Sequence, residues 1–101
     1  MRELRELYQV VLDRYKKQVS DRVHSGLCDA MCKALTEELL TGHEYDFVRS
    51  KIYENRPTED HLSQFYDKER YEYYKTDPSW WWGFSNTSER IDFMKYLIRN
   101  E

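Results

Sequence analysis

A chain of 101 residues fits one domain, and its formal net charge of −3 gives no sign of the basic surface that DNA or RNA polymers require. No apolar run approaches the roughly 18 residues of a membrane span, so neither a nucleic-acid polymer nor a membrane is an expected partner. At 35% charged residues the chain would suit disorder if aromatics were few, but these make up 16% of it and recur regularly, which predicts a folded globule.

Ile, Leu and Val together number only seventeen. Tyr and Trp must therefore supply much of the core, with their polar ends reaching water or a partner. Met1-Arg2-Glu3-Leu4-Arg5-Glu6 opens directly into an amphipathic pattern without the features of a signal peptide, and a cytoplasmic location follows as the expectation. Residues 1–43 hold seven basic and seven acidic groups, and residues 44–101 hold nine and twelve. The excess negative charge lies in the second half, where it suits a basic partner surface.

Residues 2–22 place Leu4, Leu7, Val11, Leu12, Tyr15 and Val19 at helical spacing against a charged face, which predicts the first helix. Ser25-Gly26 marks a turn or a close helix crossing. Residues 26–41 carry Leu27, Ala30, Met31, Ala34, Leu35 and Leu39, and the pattern ends at Thr41-Gly42, where Gly42 reads as a left-handed helix stop. Residues 44–55 repeat the pattern through Tyr45, Val48 and Ile52 and close before Pro57. Between Pro57 and Pro78, Thr58 followed by Glu59 and Asp60 suits the start of a short helix, whereas Tyr71, Tyr73 and Tyr74 alternate like an extended edge, and both readings stay open. Asn86 with Glu89 three residues on forms a capping-box-like start, after which Ile91, Met94, Leu97 and Ile98 make one apolar stripe. The expected architecture is all-α, a single domain over 1–101 built as a small bundle of four to five helices with an aromatic-rich loop before the last.

That loop, Pro78-Ser79-Trp80-Trp81-Trp82-Gly83-Phe84, holds all three tryptophans. Successive side chains fan out by about 100° on a helix and alternate faces on a strand, so three adjacent indoles cannot all point into one core. Two readings follow. The rings plug the end of the bundle, or Trp80, Trp81, Trp82 and Phe84 anchor a partner, or stack on a ring, with Tyr73 and Tyr74 nearby in sequence. Arg90 follows at the start of the last helix, where free backbone N–H groups favour an anion.

Cys28 and Cys32 are spaced i, i+4, neighbours on a helix but poorly aimed for a disulfide, and are expected as reduced, buried thiols. His24 extends the series to i−4. Zinc sites usually bring ligands from separate elements, so no metal and no cofactor are expected. There is no Gly-rich phosphate loop, no G-x-S-x-G and no H-E-x-x-H. His43 and His61 lie near carboxylates in sequence, and Cys28 is a conceivable nucleophile, but a packed cysteine is the simpler reading and no catalytic residue is assigned. Glu37-Glu38 and Asp67-Lys68-Glu69-Arg70 read as solvated helix faces.

Gly26-Leu27-Cys28, Trp80-Trp81-Trp82 and Arg90-Ile91-Asp92-Phe93-Met94, taken in order, resemble a pattern of small uncharacterised accessory proteins of tailed bacteriophages: G-[IL]-C, an aromatic pair often near a proline, then R-[IL]-x-F-[LM]. The resemblance covers about residues 25–98. The chain departs from it in having a third tryptophan and no proline after the aromatic group. It implies a non-enzymatic phage-type factor that binds and sequesters or inhibits a host protein in the host cytoplasm, as in counter-defence. Two alternatives accompany it: a sponge for a nucleotide second messenger, and a virion or replication subunit that self-associates as a homo-oligomer.

Overall fold

The computed structural model describes residues 1–22, 26–54 and 87–101, apart from the side chain of Tyr53. These residues form four helices: α1 (Leu4–Ser20), α2 (Leu27–Thr36), α3 (Gly42–Glu54) and α4 (Thr87–Arg99). No strand occurs among the described residues, and the all-α expectation holds. The predicted short helix after Pro57, the tyrosine alternation and the tryptophan loop lie outside them.

Helix α1 is the shared element. It packs most extensively against α2 and α4 and less extensively against α3. Arg2, just before α1, reaches Leu39 and Glu44 beyond the end of α2, so α1 and α2 run antiparallel. Arg90 at the start of α4 meets Tyr15 near the end of α1, while Glu101 shares a groove with Glu3 and Leu4, so α4 also runs against α1. Helix α3 stays at the N-terminal end of α1: its Phe47, Lys51 and Glu54 line that same groove.

The buried face of α1 is Leu4, Leu7, Tyr8, Val11, Leu12 and Tyr15, with Arg14 and Gln18 buried beside them. Leu27, Ala30, Met31 and Ala34 from α2, Leu40 between α2 and α3, Val48 and Ile52 from α3, and Phe93, Met94 and Leu97 from α4 complete the core among the described residues. Tyr8 and Tyr15 are each 1% exposed, in line with the expectation that aromatics substitute for scarce aliphatics.

Three local readings change. Helix α2 ends at Thr36, not near residue 41, and the left-handed residue that stops it is Glu38, with φ 60°. The Glu38 N–H donates to Leu35 O at 3.1 Å and the Leu39 N–H to Ala34 O at 2.8 Å, the paired bonds of a Schellman stop. Gly42 has no positive φ and instead opens α3. Thr41 and Glu44 form a reciprocal capping box there: the Glu44 N–H donates to Thr41 Oγ1 at 3.1 Å, and the Thr41 N–H donates to Glu44 Oε1 at 3.0 Å. In α4 the apolar stripe is turned: Phe93, Met94 and Leu97 are buried, and Ile91 and Ile98 flank them half-buried.

Candidate functional site

Of the residues expected to bind a partner, Trp80, Trp81, Trp82, Phe84, Tyr73 and Tyr74 lie outside the described residues, as do His24 and His61. Arg90 is described. Its Nη1 donates to Tyr15 Oη at 3.0 Å, and its guanidinium carbon sits 5.9 Å from the centre of the Tyr15 ring. One face of the guanidinium is thus committed to the frame. Arg90 therefore fastens the start of α4 to the end of α1, and its buried Nε has no hydrogen-bond partner among the described residues.

The outer face of α2 departs most from expectation. Cys28 and Cys32 are both free and both exposed, not buried. The reason is helix phase: Leu27, Ala30, Met31 and Ala34 claim the core-facing side of α2, and positions one residue on from Leu27 and Met31 turn outward. Leu35 and Leu39 continue the exposed side at 36% and 43% exposure. Tyr45, half-buried on α3, brings its hydroxyl to 3.7 Å from Cys32 Sγ. Partial burial and then the neighbouring Cys32 thiol push the Cys28 thiol up from its ordinary value, while Arg49 on α3 pulls it down. The contact with Cys32, followed by burial, raises the Tyr45 hydroxyl as well.

Two charged groups missed in the sequence hold the frame. Arg14, 7% exposed, faces Glu37: Nη2 donates to Oε1 at 3.1 Å, and Nε lies 2.9 Å from Oε2 as an ion-pair contact not aligned as a hydrogen bond. Arg14 Nη1 has no hydrogen-bond partner. Glu37 is therefore an interhelical partner and not merely part of a solvated face. Arg2 donates through Nε and Nη2 to the two carboxylate oxygens of Glu44, each at 2.9 Å, and through Nη2 to Leu39 O at 2.6 Å. The Arg2 hydrogen bonds first, then the Thr41 N–H, hold the Glu44 carboxyl well below the usual carboxylate range. His43 is exposed beside this knot, in an open groove with Met1, Glu38 and Thr41. Glu44 is thus occupied as a cap and ion-pair partner and does not orient His43 for base catalysis.

The spacing of α1 carried a signal for Arg14: Leu4, Leu7, Val11, Arg14 and Gln18 follow one three-four repeat, which places both polar side chains on the core stripe. The T-x-x-E run at 41–44 likewise announced a helix start. No group of three or more His, Cys, Asp or Glu side chains able to hold a metal ion occurs among the described residues. No helix among them is long and apolar enough to cross a membrane. No family model, curated protein or solved structure matches the chain.

Proposed function

We propose that this chain is a non-enzymatic binding protein that sequesters or inhibits a partner protein, in the manner of a phage accessory factor directed at a host component. The observation that carries the reading is the Trp80-Trp81-Trp82 triplet with Phe84, since three adjacent indoles cannot all be hidden by regular backbone and tryptophan is the side chain most enriched at binding hot spots. The described helices supply a frame for it. Glu54 and Thr87, which flank the segment that carries the triplet, lie toward opposite ends of α1. The acidic balance of residues 44–101, twelve acidic to nine basic, suits steering toward a basic partner surface. The resemblance to phage accessory proteins through Gly26-Leu27-Cys28, the tryptophans and Arg90 through Met94 supplies the host-directed element.

Sequestration differs from catalysis in what leaves the complex. Tagged protein incubated with host lysate should hold its partner at a fixed ratio, and heat denaturation should release that partner chemically unchanged. A processed product, or modification of a molar excess of partner, would overturn the reading. A stabilising thermal shift with a purified nucleotide, and no protein retained, would replace it with the nucleotide-sponge alternative; ligand at about 100 times its Kd adds roughly 2.7 kcal/mol.

A further inference from the structure

Free cysteine is among the most frequently buried residue types, yet α2 turns two of them outward, one helical turn apart on one face. We propose that Cys28 and Cys32 form a two-thiolate clamp for a soft monovalent metal ion of the copper(I) class on the outer face of α2.

Geometry separates this from the other chemistry open to a thiol pair. Cβ atoms at i, i+4 on a helix stand about 5–6 Å apart. A disulfide requires about 3.5–4.5 Å, so bridging the pair directly would distort α2. A metal ion between the sulfurs relaxes that demand, because two metal–sulfur bonds of about 2.3 Å let the sulfurs stay as much as about 4.6 Å apart. Thiolates are the soft ligands that select copper(I). Zinc is disfavoured here because it takes four ligands in a structural site, and the pair supplies two.

The surroundings suit the charge that results. Binding converts two thiols and one monovalent cation into a bis-thiolate complex of charge −1 with release of two protons, and no oxidant or reductant takes part. Arg49 on α3 favours the charged form of Cys28. Asp29 acts against it but is paired with Lys33 at 3.5 Å. The Tyr45 hydroxyl, 3.7 Å from Cys32 Sγ, covers one flank of the clamp and can donate to the thiolate. Because both thiols lose their protons on binding, binding strengthens as pH rises.

The test titrates the full-length reduced protein, without oxygen, with copper(I) supplied as its acetonitrile complex in competition with a chromophoric copper(I) chelator. The expected result is one copper(I) per chain, withdrawn from the chelator, with both thiols protected from a thiol reagent at once. Cys28→Ser and Cys32→Ser, both exposed positions whose circular dichroism should match wild type, each lose that competition. Either variant competing as wild type does, a wild-type chain that fails to compete, or displacement of the bound copper(I) by an equal amount of zinc(II) would overturn the proposal. Because the clamp is remote in sequence from the tryptophans, its failure leaves the partner-binding reading standing, and the reverse holds too.

Discussion

Glu38 holds a left-handed conformation, φ 60°, that costs an L-residue about 1–2 kcal/mol relative to glycine. Its side chain is exposed, and both bonds of the α2 stop run through backbone. Glu38→Gly should therefore raise stability by about 0.5–1 kcal/mol, with part of the gain offset by the freer unfolded chain. A urea midpoint shifted upward would show it, and a downward shift would mean that the carboxylate matters more than the backbone. Glu44 makes a prediction of opposite character. Its folded-state ionisation is depressed below the ordinary 4.5, first by Arg2 and then by the Thr41 N–H, so the stability it contributes is complete above 4.5 and drains away as pH falls below it. The stability gap between wild type and Glu44→Gln should be wide at neutral pH and close in acid; a gap that stays constant through that range would contradict the linkage. Only Glu44 was partly legible. Thr41-x-x-Glu44 spells a capping box, but the glycine at position 42 drew the reading of a stop, whereas a glutamate in the left-handed region leaves no mark in the sequence.

Among the elements, α1 and α4 show how far periodicity reaches. The helix over 2–22 was readable because Leu4, Leu7, Val11, Leu12, Tyr15 and Val19 repeat at helical spacing; the first five are buried, together with Tyr8, Arg14 and Gln18, and Val19 is half-buried. The ends of α2 and the facing of Cys28 and Cys32 were not readable, because apolar scales count cysteine with the core residues and cannot tell which of two adjacent apolar stripes wins. In α4 the true face centres on Phe93 and Met94, with Ile91 and Ile98 at its margins. Phe93 is 1% exposed, and it belongs to a helix that packs extensively on α1. Phe93→Ala should cost about 3–5 kcal/mol in chemical denaturation, whereas Ile98→Ala at the margin should cost much less. Equal losses at the two positions would place the core face of α4 elsewhere. The Arg90–Tyr15 contact sets the other end of this helix, and it was invisible in sequence because its partners are 75 residues apart.

At the scale of the whole molecule, one helix organises the described frame. Helix α1 carries α2 and α4 antiparallel on its sides, and ionic knots at Arg2–Glu44 and Arg14–Glu37 fasten the N-terminal end and the α2 stop. Fold class was legible because repeated amphipathic stripes with no sustained alternation leave only helix packing as a way to bury apolar surface. For function, the sequence offers three adjacent indoles that demand an explanation beyond the core. On the proposed reading, affinity concentrates in a few aromatic anchors on a frame that survives their removal. The measurement that tests this most directly is quantitative capture of the host partner by wild type and by the Trp81→Ala, Trp82→Ala double variant, each first checked for helical content. The account predicts that the double variant keeps its helices and retains no partner; capture equal to wild type would contradict it.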